Sequence, residues 1–219
     1  MNDLLAGPNA SLIEGTILDP AALRKAFEGA DGIFHEAAIA SVPRSVADPR
    51  ETHEVNLSGT VNVLMAARDC GVKKVVFASS AAVYGDKPEL PKRESMMPDP
   101  LSPYAVTKSA GENYCSVFSR LYGMQCVSLR YFNVFGPRQD PGSPYSGVIT
   151  KFITNTLAHK PVTIFGDGKQ TRDFVYVKDV VRANILAMEA GKAGVYNVAS
   201  WIIRCAQTLK NQQVICYKI

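Results

Sequence analysis

Apolar residues along the chain fall into two alternating textures: short runs rich in Val, Ile and Phe, and longer stretches with an apolar residue every three or four positions. The first texture predicts strands and the second amphipathic helices, and their alternation predicts βαβ units around a parallel sheet. Ser11–Ile17 predicts a first strand and its exit turn. Asp19 then caps a helix with Pro20 at its first position, Leu23 and Phe27 on one face, and Gly29 near its end. Gly32–His35 predicts the next strand. A long helix from about 49 to 70 carries Val61, Leu64 and Met65 as one stripe, with Gly71 as its stop.

Lys74–Ala78 reads as a buried strand with Ser79 and Ser80 at its C-terminal end, which is where open α/β sheets bind ligands. Ser102-Pro103 opens a helix that continues to Gly123, and Cys126–Leu129 predicts another strand, leading into Arg130–Asn133. From about Gln139 the texture changes to loops rich in Pro and Gly. A short helix near Val148–His159, a strand over Val162–Phe165 and a sharp turn at Gly166-Asp167-Gly168 follow. A last helix runs from about Val177 to Ala190.

Composition narrows the function classes. At 219 residues the chain can bury one large core, or a main domain with a smaller lobe. Apolar content of 47% with 20% charged residues is ordinary for a globular protein. No apolar run approaches the roughly 18–20 residues that span a bilayer, so no membrane partner is expected. The start, Met1-Asn2-Asp3-Leu4-Leu5, shows no secretory signal pattern. Five cysteines without a C-x-x-C pair suit reduced thiols, and the expected location is the cytoplasm. A net charge of +4 with scattered Lys and Arg is compatible with an anionic small molecule and gives no nucleic-acid stripe. Three histidines with no ligand spacing predict no metal.

The chemistry concentrates in Ser79–Tyr84 and in Tyr104-Ala105-Val106-Thr107-Lys108. Residues four apart on a helix share a face, so the Lys108 ammonium is expected beside the Tyr104 phenol, lowering a pKa that starts near ~10. A serine hydroxyl at the strand end can bond the alcohol whose proton that phenolate takes. These are the parts for oxidising an alcohol by proton abstraction coupled to hydride transfer.

Five motifs in order carry a resemblance: Phe34-His35-Glu36-Ala37-Ala38, Val55-Asn56-Leu57-Ser58-Gly59-Thr60, the Ser80 segment with Tyr104 and Lys108, Leu129–Arg138, and Gly166-Asp167-Gly168 with Thr171–Val175. The chain resembles the extended short-chain dehydrogenase/reductases of the NAD-dependent epimerase/dehydratase family, most of all its UDP-glucose and UDP-N-acetylglucosamine 4-epimerases. The resemblance implies NAD, a UDP-hexose substrate, and epimerisation at C4 through a 4-keto sugar. Ser80, Tyr104 and Lys108 are the implied catalytic residues. Thr16, Ile17, Ala37, Ala38, Tyr104, Lys108 and Phe132 are implied on the cofactor. Ser80, Asn133, Val148, Thr163, Phe165 and Arg172 are implied on the nucleotide sugar, with Asn133 and Arg172 at its diphosphate. A homodimer through helices 49–70 and 103–122 is implied as well. Within the family, Ala81 and Ala82 favour an epimerase over a 4,6-dehydratase, which carries carboxylates there.

The implied fold is a Rossmann-type doubly wound α/β sheet in 1–138, rejoined by helix 177–190, with a partial substrate lobe in 139–176 and 191–219. The sequence also departs from the family pattern. No G-x-x-G-x-x-G turn occurs, so the sheet is expected to lack its first two strands and its glycine-rich loop. Thr16 replaces the family's usual aspartate, and residues 201–219 do not continue the pattern. Two other readings therefore stand beside the epimerase: a dehydrogenase or reductase with the same Ser-Tyr-Lys set, and a non-catalytic fragment. On the residues alone, His35 reads as structural, Tyr84 and Tyr131 as packing, and Asn56 as a helix stabiliser.

Overall fold

A computed structural model describes residues 10–140, 147–164, 167, 169–190, 192–200 and 203–205. Its centre is an all-parallel sheet of β1 (Gly32–His35), β2 (Lys74–Ser80), β3 (Gln125–Tyr131) and β6 (Gly194–Val198), in the order β1-β2-β3-β6. A second sheet joins β4 (Asn133–Phe135) in parallel to β5 (Thr171–Tyr176), which pairs antiparallel with β7 (Ile203–Cys205). The helices are α1 (Pro20–Phe27), α2 (Val42–Ala47), α3 (Pro49–His53), α4 (Gly59–Asp69), α5 (Pro103–Tyr122), α6 (Val148–Leu157) and α7 (Val177–Ala190).

Strand alternation divides the core into two layers. Val75 and Phe77 of β2 face one side, where Leu23 of α1, Val63 and Leu64 of α4, and Phe118 of α5 bury them. Val76 faces the other side and packs with Val127, Leu129 and Val198, under Val180 and Met188 of α7. Helices on both faces of a parallel sheet make the doubly wound α/β architecture that the family resemblance implies, built from the βαβ units that the patterning predicts.

Three local expectations need correction. Ser11–Thr16 form no strand and lie exposed. A strand needs a neighbour to exchange hydrogen bonds with, and among the described residues none runs beside this segment. Ile17 instead packs on α4, filling the space where a Cβ at Gly59 would stand 2.5 Å from its Cδ1. Val162–Ile164 are also irregular, and Phe165, Gly166 and Gly168 lie outside the described residues. The long helix from 49 to 70 is broken by one π-helical turn, Glu54–Ser58, between α3 and α4. Such single turns frequently mark functional positions in helices, and the buried Asn56 sits within this one.

Candidate active site

The sheet presents its candidate chemistry at its C-terminal edge. Ser80 ends β2 and caps the 3₁₀ turn Ala81–Tyr84, its Oγ accepting from the Ala82 N–H at 3.2 Å. Helix α5 begins beside it because Ser102 Oγ accepts from the Ala105 N–H at 3.2 Å and Pro103 presets the first turn. Tyr104 and Lys108 follow one turn apart. Gly111 lets the helix lie close on β2, for a Cβ there would stand 2.5 Å from the Phe77 ring. The helix ends at Gly123 in the left-handed conformation.

Lys108 is 4% exposed, and its Nζ donates to the Ala78 carbonyl at 2.6 Å. The ammonium lies 5.0 Å from the Phe77 ring centroid and 5.8 Å from that of Tyr104. Burial lowers its pKa to about 8, opposed by the charges of Glu36 and Cys115. Tyr104 does not follow the expectation of an acidified phenol. Burial raises its pKa above the ordinary value, and a hydrogen bond with the Ser80 hydroxyl pulls the other way. The lysine lies over the ring, and burial sets the direction of the phenol's shift.

Under this pair the helix carries one more polar residue, again four positions on. Glu112 accepts from Arg130 Nε at 2.8 Å, from Arg130 Nη2 at 2.7 Å, and from Ser79 Oγ at 2.5 Å. Both side chains of the pair are at most 5% exposed. A bidentate buried pair fixes α5 in register against β2 and β3. Arg130 also stacks on Tyr84, 4.6 Å from its ring centroid.

The motif around His35 supports the strand ends. His35 Nε2 lies 2.9 Å from Thr60 Oγ1, which donates its own proton to the Asn56 carbonyl at 2.6 Å, so Nε2 carries the imidazole proton. Burial lowers the His35 pKa to about 4, with Lys108 adding to the shift. Asn56 clasps one residue's backbone: Oδ1 accepts from the Ile39 N–H at 2.7 Å, and Nδ2 donates to the Ile39 carbonyl at 3.1 Å. This clasp holds the segment containing Ala37 and Ala38, a role beyond the helix stabilisation expected of Asn56. Tyr131 likewise does more than pack. Its phenol donates to Glu36 Oε1 at 2.8 Å and accepts from Asn184 Nδ2 at 2.7 Å.

Two cavities share Asn133 and Arg172, and Ser80 lines the larger. The larger, about 650 Å³, is lined by Ser80, Ala81, Tyr131, Phe132, Asn133 and Arg172 among others. The smaller, about 240 Å³, shares Asn133 and Arg172 and adds Val148 and Thr163. Asn133 Nδ2 donates to the Asp173 carbonyl at 2.8 Å, and Arg172 Nη1 to the Thr171 carbonyl at 2.8 Å. Ser80, Asn133 and Arg172 thus meet on the larger cavity, and Val148 and Thr163 meet Asn133 and Arg172 on the smaller. Phe165, assigned with them to the nucleotide sugar, lies outside the described residues.

Of the residues assigned to the dinucleotide, Phe132 lines the larger cavity, whereas Tyr104 and Lys108 line neither. Thr16 and Ile17 form the turn before α1, where Thr16 Oγ1 accepts from the Leu18 N–H at 3.2 Å. They line neither cavity, nor do Ala37 and Ala38. Lys108 has the chemistry for a ribose: one of its three N–H donors is bonded to Ala78, and two remain for hydroxyl groups. Among the described residues, no cluster of three or more His, Cys, Asp or Glu is placed to hold a metal. No described helix is long and apolar enough to cross a membrane.

Comparison with known proteins identifies the family of the chain. The NAD dependent epimerase/dehydratase family model matches residues 2–199. A putative UDP-glucose 4-epimerase of Methanocaldococcus jannaschii is 43% identical over 183 residues, which are 83% of this chain and 60% of that protein. The UDP-N-acetylglucosamine 4-epimerase from Methanobrevibacter ruminantium, solved in complex with UDP-N-acetylmuramic acid, superimposes with a TM-score of 0.89. It shares 44% identity, with 92% of this chain and 65% of that one covered. The UDP-glucose 4-epimerase of Thermus thermophilus, solved with NAD, gives a TM-score of 0.85 at 39% identity, covering 93% of this chain and 68% of that one. The chain spans about 60% of the length of the first of these relatives. With the fold, the strand-end serine and the Tyr104–Lys108 helix in place, the chain belongs to the NAD dependent epimerase/dehydratase family.

Proposed function

We propose that this chain carries the substrate site and the proton-transfer residues of an NAD-dependent 4-epimerase for a UDP-hexose, an isomerase by reaction class. The convergence of Ser80, Phe132, Asn133 and Arg172 on one 650 Å³ space supports this reading most strongly, and Tyr104, which lines neither cavity, is tied to it by the pull of the Ser80 hydroxyl on its phenol. NAD, when bound, supplies the hydride acceptor and donor. Tyr104 is placed to exchange the proton of the sugar C4 hydroxyl, with Ser80 bonding the same oxygen. Lys108 holds the ribose and keeps positive charge near the phenol, which opposes the effect of burial. Arg172 and Asn133 orient the diphosphate at the junction of the two cavities, and Val148 and Thr163 wall the uridine.

Ala81 and Ala82 bear on the reaction type, because both line the larger cavity and neither methyl group can move a proton. The site therefore suits epimerisation and lacks the acid and base that water elimination needs at those positions. Val106, Tyr114, Val117 and Leu121 of α5 are 40–69% exposed and fall on one stripe, which supports a homodimer through 49–70 and 103–122. Sedimentation that finds only monomer at high concentration would contradict the dimer.

Product analysis tests the activity. Incubation of UDP-glucose with the chain and NAD should yield the C4 epimer with no net reduction of cofactor. Tyr104→Phe should lower turnover by ~10²–10⁴-fold while sparing sugar binding. Stoichiometric NADH formation would instead support the dehydrogenase reading. Sugar binding without turnover would support a non-catalytic fragment.

A further inference from the structure

The segment 85–101 has no helix or strand of its own, yet it builds one wall of the larger cavity through Gly85, Asp86, Leu90, Pro91, Lys92 and Leu101. Its neck is closed at Gly85, where φ is +61° and the Asp99 carbonyl occupies the space a Cβ would need. The Asp99 N–H donates to the Val83 carbonyl at 2.8 Å. Within the loop, Lys87 Nζ donates to the Met97 carbonyl at 2.8 Å, and Lys92 Nζ to the Lys87 carbonyl. Closed ends and internal bonds are the marks of an Ω-loop, a loop type that often carries function.

One residue of β6 fastens the middle of this loop to the body of the protein. The Asn197 N–H donates to Glu94 Oε1 at 2.8 Å, and its Nδ2 donates to the Lys92 carbonyl at 3.1 Å. Its Oδ1 accepts from the Tyr84 hydroxyl at 2.7 Å. Tyr84 is 1% exposed, and its ring rests on the guanidinium that Glu112 grips from the helix of Tyr104 and Lys108. Contacts therefore run without a gap from the proton-transfer helix, through Glu112, Arg130, Tyr84 and Asn197, to the cavity wall at Lys92. Tyr84 lines neither cavity, and it reaches the larger one through Asn197, which it hydrogen-bonds and which lines it, and through Phe132, whose ring centroid lies 6.5 Å from its own.

Resting on the nucleotide-sugar reading above, we propose that Tyr84 is a positioning residue that, through Asn197, holds the 85–101 wall of the cavity that Ser80 lines, setting affinity for the sugar rather than for the nucleotide. Tyr84→Phe removes one hydroxyl and keeps the ring on Arg130, so the core stays intact. Calorimetric titration with UDP-glucose should show binding about three- to tenfold weaker than in the parent chain, the usual worth of one hydrogen bond. UDP alone should bind as before, and hydrogen exchange of the 92–97 amides should quicken. Unchanged sugar affinity with unchanged exchange would overturn the proposal. So would equal losses for UDP and UDP-glucose, which would mark Tyr84 as structural support only. If the parent chain binds no UDP-glucose, the functional reading fails, and the exchange measurement still decides whether Tyr84 fastens the wall.

Discussion

The two sides of the cleft are built differently. On the side proposed for the substrate, a buried bidentate ion pair and a buried serine bond tie β2 and β3 to α5, Asn197 of β6 bonds the 85–101 loop, and the walls of two cavities are in place. On the side assigned to the dinucleotide, β1 has a neighbour on one edge only among the described residues, Phe34 is 48% exposed, and Leu12 and Ile13 are about 60% exposed. A group held by many short contacts has little freedom to lose when a ligand arrives, whereas an exposed segment must first be ordered. The difference teaches that, on the proposed reading, the sugar side of this chain is preorganised and its dinucleotide side is not.

Stability should follow the same division. Glu112→Ala leaves the Arg130 cation buried without a partner, and breaking such a pair costs ~3–5 kcal/mol. Phe34→Ala on the exposed face of β1 should cost under ~1 kcal/mol, since much of its surface is already in water. Chemical denaturation of both variants checks this contrast, and similar losses in the two would erase it.

His35 sharpens the contrast, because it belongs to β1 yet turns its ring into the core. Its pKa falls from 6.5 to about 4 on folding, mainly through burial. A base whose folded pKa is depressed is neutral in the fold at a pH where the unfolded chain takes up a proton. Stability is therefore full above pH 6.5 and falls as pH drops towards 4. The loss should reach about 3 kcal/mol at the acid end. Denaturation at several pH values, with His35→Asn as the control that lacks this dependence, measures it.

How much of this was legible in the sequence depended on the range of the interactions involved. Helix α5 could be read from its own residues: Ser102 caps it, Pro103 starts it, Gly123 stops it, and the spacing of Tyr104 and Lys108 places both on one face. Strand β2 could be read from its β-branched run. Ser11–Thr16 carry a strand-like pattern, but a strand forms only beside a partner, which composition does not reveal. The roles of Asn56, Tyr131 and Asn197 depend on residues 17, 53 and 105 positions away in the chain. One long-range contact had a visible signal. Glu112 continues the stripe of Tyr104 and Lys108 by four, and a carboxylate on a buried helix face requires a cation opposite it. The direction of the Tyr104 shift was missed because helical spacing fixes which face a group shares, and burial then decides which charge state it favours.

The most direct test of the proposed, preorganised sugar site is a pair of calorimetric titrations of the 219-residue chain, one with UDP-glucose and one with NAD. UDP-glucose should bind saturably and more tightly than NAD. Arg172→Ala should weaken the sugar nucleotide by ~10–100-fold, the worth of a charged hydrogen bond to phosphate. Tight NAD binding without UDP-glucose binding, or UDP-glucose binding indifferent to Arg172, would contradict the account.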